Sequence, residues 1–242
     1  MKKFELTAES KINWFGRTLY RIKARIDFTT ASGDEVKAGD LGGFVEKESN
    51  LSHNGKAWVY GDAEVYGNAE VWGNAEVYGD AKVYGNAEVW GNAEVYGDAE
   101  VYGDAEVYGD AKVYGDAEVY GDASIFSTKH IFCVTPIGQY ANSLTVFRTK
   151  NRELKISFEF KTYEIEEFRK VIHDSWDEEY VCIAEGAISL AKKHIDLTPE
   201  KSFKDCPFCG GKAELDEDSD VVICTECGST AKEEIWNNRC DD

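Results

Sequence analysis

The sequence predicts a mainly β protein: a β-solenoid flanked by an N-terminal β cap, a small α+β unit and a C-terminal ribbon. Three observations carry this. A six-residue unit repeats without a break through the middle of the chain, Tyr20 to Ile26 alternates apolar and polar without error, and two C-x-x-C pairs stand near the end. The predicted divisions are 1–58 for the cap, 59–126 for the solenoid, 127–200 for the α+β unit and 201–242 for the ribbon.

From Val59 to Ser124 the chain is eleven copies of V-[YW]-G-[DN]-A-x, with x mostly Glu. A period of six is too short for a helical repeat, and its Val, Tyr and Trp favour strands. Each Gly-Asp or Gly-Asn pair supplies a corner that tolerates positive φ. Alternation in A-x-V-[YW] sends Ala and Val inward and the carboxylate and the ring outward.

This pattern resembles the hexapeptide repeat of left-handed parallel β-helices. The resemblance implies three hexads per triangular coil, so residues eighteen apart stack. It departs from the family at the residue after the valine, which is usually small there and always aromatic here. Three outward columns follow: Tyr60, Tyr78, Tyr96, Tyr114; Tyr66, Tyr84, Tyr102, Tyr120; and Trp72, Trp90, Tyr108, Phe126. Aromatic surface of this size calls for a cover, either a sister chain in a dimer or trimer or the rest of this chain. The alternative is a stacking platform at Trp72 and Trp90. Asp62, Asp80, Asp98 and Asp116 are expected to stack at one corner, and Glu64, Glu100 and Glu118 share a face with Lys82.

In the cap, Val45, Leu51 and Ala57 continue the inward six-residue register, and His53 falls where a valine would sit, as a packed histidine. The strand Tyr20 to Ile26 puts Arg21, Lys23 and Arg25 on one side, with Arg17 upstream. Such a strip pairs with the acidic coils or, alternatively, binds phosphate, whose oxygens match arginine forks. The strings RTLYRIKA, KAGDLGGFVEKESNLS and AWVYGDAEVYG resemble the opening of phage and prophage hexapeptide-repeat proteins. That resemblance implies a viral accessory role and no reaction.

Beyond Ser124 the repeat decays through Ile125 and Ile131. Leu144 to Phe147 and Leu154 to Phe158 read as a hairpin, and Thr162 as the cap of a helix with Ile165, Phe168, Ile172 and Trp176 on one stripe. A second helix is predicted near Glu179–Ile195, with Ala184, Ile188 and Ala191 inward. Cys206, Cys209, Cys224 and Cys227 have the spacing of two knuckles that supply four thiolates to a tetrahedral structural zinc. Thr230 and Glu233 form a capping box for a last short helix. Cys133, Cys182 and Cys240 read as plain thiols. CPFCGGKAEL, CTECGS and IWNNR together resemble the Lar-type restriction alleviation family, which implies an anti-defence role.

The 242 residues carry 27 Lys and Arg against 46 Asp and Glu, a net charge of −19. That argues against wrapping nucleic acid or lying on an anionic membrane. No run approaches the length of a membrane helix and the start lacks a signal-peptide core, so a cytoplasmic protein is expected, in the host cell if phage-encoded. The charge is uneven: residues 59–124 hold two lysines against fifteen carboxylates, −13 net. Two binding functions follow, both non-enzymatic and both antagonising host defence. Either Arg17, Arg21, Lys23 and Arg25, beside rings such as Trp72 and Trp90, hold a nucleotide immune signal, or the acidic rod imitates DNA and occupies a DNA-binding defence protein. A third reading, acyltransferase, follows from the fold resemblance alone, and His130 is its one candidate residue.

Overall fold

A computed structural model describes residues 2–138, 141–198, 213–216, 221–224 and 230–232. Contacts divide the chain into Met1–Leu197 and Thr198–Asp242.

In the first unit, β1 (Phe4–Ile12) and β2 (Thr18–Ala24) form a hairpin, β3 (Phe28–Thr29) and β4 (Glu35–Val36) a second, and β5 (Leu41–Val45) runs into the solenoid. Twelve two-residue strands follow, from β6 (Trp58–Val59) to β17 (Ser124–Ile125). They stack as three parallel sheets in which each residue pairs with the one eighteen places on, as Val65 with Val83, Val71 with Val89 and Val77 with Val95. The resulting β-solenoid has about five layers, because β5 adds a parallel strand to the sheet β5-β7-β10-β13-β16, which β2 and β1 then extend antiparallel.

Alternation gives the core. Every alanine and valine of the repeat is buried to within 1 % of full exclusion, and one continuous core runs from Phe4 and Ile22 down to Ile131 and Phe147. A buried valine contributes roughly 1.5–3 kcal/mol, so each layer is held by its own three valines and by its neighbours.

The expected register of the first layer is corrected. Val45 pairs with Val65 and Leu51 bridges Val71, an offset of twenty, whereas Trp58 pairs with Glu76 at eighteen. Val45 and Leu51 therefore hold valine positions, and two extra residues lie between Ser52 and Ala57. His53 holds no valine position; it sits in the resulting loop, its ring 4.3 Å from that of Phe4.

After the solenoid, β18 (Ile131–Ile137), β19 (Asn142–Arg148), β20 (Leu154–Phe158) and β21 (Lys161–Glu164) form an antiparallel sheet in sequence order. The expected hairpin is its centre, with Val146 opposite Ile156. Ile131 opens this sheet rather than continuing the coil. Helices α1 (Ile165–Ser175) and α2 (Glu178–His194) follow, burying Ile165, Phe168 and Ile172, and Ala184, Ile188 and Ala191. Thr162 lies within β21, and Glu164 takes the N-cap position assigned to it from sequence.

In the second unit, β22 (Ala213–Asp216), β23 (Val221–Cys224) and β24 (Thr230–Lys232) form an antiparallel sheet. Thr230 therefore opens a strand, not a helix: its backbone pairs with Ile223.

Candidate binding surface

Each rung turns one ring outward, and the layer spacing stacks it. Tyr66 lies on Tyr84 at 4.9 Å and 3°, Trp72 on Trp90 at 5.3 Å and 2°, and Trp90 on Tyr108 at 4.5 Å and 4°. These separations are one strand layer, so the backbone imposes the ladders. All three columns expected from the sequence are present.

Their environments differ. Tyr66 is buried against Leu19 and Phe44, with Phe15 of the β1–β2 hairpin 6.3 Å away, and Tyr120 at the far end is buried beside Phe147. The chain itself thus covers both ends of that column. Tyr60 lies under the β3–β4 turn, whose Ser32 donates through both N–H and Oγ to Glu76, which also accepts from the Tyr60 hydroxyl. Trp72 is 39 % exposed and begins a column that neither hairpin caps.

The carboxylates follow the same division. On the Tyr66 face the ladder reads Glu64, Lys82, Glu100, Glu118, and Lys82 pairs with Glu100 at 2.7 Å. On the Tyr60 face it reads Glu76, Glu94, Lys112, with Lys112 at 2.8 Å from Glu94. Phenols relieve charge there too: Tyr78 donates to Glu94 and Tyr84 to Glu100. Burial, and after it these carboxylates, push the phenols of Tyr78 and Tyr84 well above the ordinary tyrosine range. Burial opposes ionisation of Glu94, but hydrogen bonds from Lys112 and Tyr78 outweigh it and hold its pKa low.

The tryptophan face is built differently. Its ladder is Glu70, Glu88, Glu106, then Ser124, with no lysine in the column; its two indoles carry no hydroxyl, and the Tyr108 hydroxyl lies 3.3 Å from Ser124 Oγ. Lys150 reaches Glu106 at 2.7 Å. Glu70 and Glu88 are exposed and form no ion pair among the described residues. The signal was in the sequence: in eighteen-residue arithmetic Lys82 and Lys112 fall in the other two columns. Two corners also hold amide ladders missed from sequence, Asn68 to Asn86 to Asp104 and Asn74 to Asn92 to Asp110.

The basic strip lies against carboxylates. Arg17 pairs with Glu46 at 2.9 Å, Lys23 with Glu5 at 3.0 Å, and Arg25 lies 3.7 Å from Glu5. Arg21 pairs with Glu9 at 2.7 Å, donates to the Gly42 and Gly61 carbonyls, and lies over Phe44. Its carboxylate partners are mostly on the cap strands rather than the coils; Asp62, 3.5 Å from Arg21, is the solenoid's share. His130 is buried, and its Nδ1 accepts from the Phe126 N–H.

No family model matches this chain, and no curated protein is similar to it. Among the described residues no three or more His, Cys, Asp or Glu side chains are grouped to hold a metal. Cys206, Cys209 and Cys227 lie outside the described residues, as does the side chain of Cys224. No described helix is long and apolar enough to cross a membrane.

Proposed function

We propose that this protein works by binding rather than catalysis, and that its tryptophan face occupies the nucleic-acid-binding surface of a host-defence protein. The observation that supports this most is the ladder of Glu70, Glu88 and Glu106 beside exposed indole, the one face whose charge the chain does not neutralise with lysines in the ladder. The charge density agrees. Eleven hexads at about 4.8 Å per layer make a rod about 18 Å tall. Even after Lys11, Arg21, Lys150 and Lys155 reach in, −9 remains. That is one charge per roughly 2 Å, against about 1.7 Å for duplex DNA.

The same reading takes the N-terminal strands as the cap of a left-handed parallel β-helix that assembles as a dimer or trimer. It takes Cys206, Cys209, Cys224 and Cys227 as ligands of a structural zinc. The phage origin and anti-defence role rest on sequence resemblance. Capture of a nucleotide by Arg17, Arg21, Lys23 and Arg25 would first have to displace Glu5, Glu9 and Glu46. That makes it the weaker binding reading.

The test is competition. A DNA-binding defence enzyme is loaded on a fluorescent duplex, and the protein should release the duplex, less so as salt rises. Glu70→Gln, Glu88→Gln and Glu106→Gln together should abolish release. Asp62, Asp80, Asp98 and Asp116 changed to Asn at a different corner should leave most of it. Release that survives the glutamine variant sinks the reading. Calorimetry with cyclic nucleotides that gives heat lost in Arg21→Glu would favour the other.

A further inference from the structure

The top of the tryptophan column has an empty ring position. Below it each ring covers the next, and one face of Trp72 lies on Trp90. The other face looks toward the layer above, where Leu51 bridges Val71 and the Ser52 N–H donates to the Val71 carbonyl. In that layer the residue in the ring's place is Ser52. The two-residue insertion carries the chain from Ser52 to Lys56 outward instead of supplying a ring. What remains is an open hollow of about 880 Å³ whose lining includes Glu48, Ser52, His53, Asn54, Glu70 and Trp72.

We propose that this hollow takes the guanidinium group of an arginine side chain, stacked on the free face of Trp72 and paired with Glu70. This rests on the reading of the tryptophan face as a docking surface and names the group that anchors there. A planar cation suits the site on three counts. A tryptophan face attracts cations more strongly than any other ring. Glu70 stands two residues before Trp72, on the same outward side of the strand, and has no cation of its own among the described residues. The surrounding side chains of Glu48, Ser52 and Asn54 offer oxygen acceptors to a group that has five donors and no acceptor. Glu48 is already paired with Lys2 at 2.6 Å, which leaves Glu70 as the primary partner. A lysine ammonium would find the charge but not the flat surface.

The probe is N-acetyl-arginine amide, titrated into the full chain with ¹⁵N-labelled indoles. The Trp72 indole signal, assigned by its loss in Trp72→Leu, should shift saturably. N-acetyl-lysine amide should bind at least five-fold more weakly and Glu70→Gln should weaken arginine binding about ten-fold. Glu5→Gln, remote from the hollow, should change nothing. No saturable shift at Trp72, equal binding of the lysine amide, or preferential binding of an uncharged nucleoside would each overturn the proposal. The small probe needs no protein partner, so its failure is separate from failure of duplex release. Release that persists in Trp72→Leu would remove the anchor and leave the acidic ladder standing.

Discussion

Replacing Glu88 by lysine should make the fold more stable and its proposed binding weaker. Glu88 stands between Glu70 and Glu106, one layer from each. Two like charges about 4.8 Å apart repel by about 0.9 kcal/mol in water, and screening at physiological salt roughly halves this. Reversing the central charge turns two repulsions into two attractions, a swing of about 2 kcal/mol. The entropy of holding an exposed lysine, and the Lys150 partner already on Glu106, reduce the expected gain to about 1 kcal/mol. The protein already uses this arrangement twice, with Lys82 beside Glu100 and Lys112 beside Glu94. Thermal unfolding should therefore shift up by about 2–4 °C for a chain of this size. The wild type should gain stability from added salt, and Glu88→Lys should gain less. A variant less stable than wild type at low salt would show that repulsion along this ladder is not the governing effect.

Other consequences can be measured on the same chain. Gly91 and Gly115 both have φ near +70°, but a Cβ on Gly91 would lie 2.7 Å from the Gly109 nitrogen, whereas one on Gly115 meets nothing. Gly91→Ala should cost about 3 kcal/mol in urea unfolding and Gly115→Ala about 1, so equal losses would refute layer contact as the cause. Burial raises the phenols of Tyr60, Tyr66, Tyr78, Tyr84, Tyr102 and Tyr120, so their contribution is intact below pH 10 and is lost above it. Phenolate absorbance should then appear together with unfolding; free titration in an intact fold would contradict this. Burial lowers Lys3 to about 8 from 10.5, so the unfolded chain binds more protons between those values and stability rises with pH there. The gain from pH 8 to 10 should be about 2 kcal/mol and should flatten in Lys3→Met. Elemental analysis should find one zinc per chain, lost in Cys206→Ser with Cys209→Ser; a metal-free wild type would remove the zinc assignment.

Most of the solenoid was legible because its information is local. Alternation places Ala and Val inside, and the eighteen-residue repeat that the resemblance implied places the rings in columns. The register shift at Ser52 to Lys56 was hidden for a physical reason. An insertion of two keeps the parity of a strand, so Val45 and Leu51 stay buried whichever layer position they take. The hollow above Trp72 exists because of that insertion, which makes it the least legible part of the surface. The covers over Tyr66 and Tyr60 were equally hidden, since Phe15 and Ser32 reach those faces from loops whose own sequences say nothing about where they land. Lys161 to Glu164 was misread because Thr162 suits a helix cap and a strand edge alike, and pairing with β20 decides between them.

Three faces built from one hexapeptide have thus acquired two different chemistries. Geometry does not require this, since every face has the same backbone and the same inward residues. The difference lies in which of three interleaved positions receives Lys, Tyr or Trp, and in where two hairpins and a sheet close over the rod. On the Tyr66 and Tyr60 faces, lysines, phenols and covering loops satisfy the carboxylates internally, so a partner would have to displace contacts the chain already makes. On the tryptophan face Glu70 and Glu88 form no ion pair among the described residues, and neither hairpin caps Trp72. A cationic partner there gains the attraction without first breaking an ion pair of these two. The same repulsion that makes Glu88→Lys stabilising in the free protein is then relieved by binding, so the cost to the fold and the affinity for a basic partner have one source.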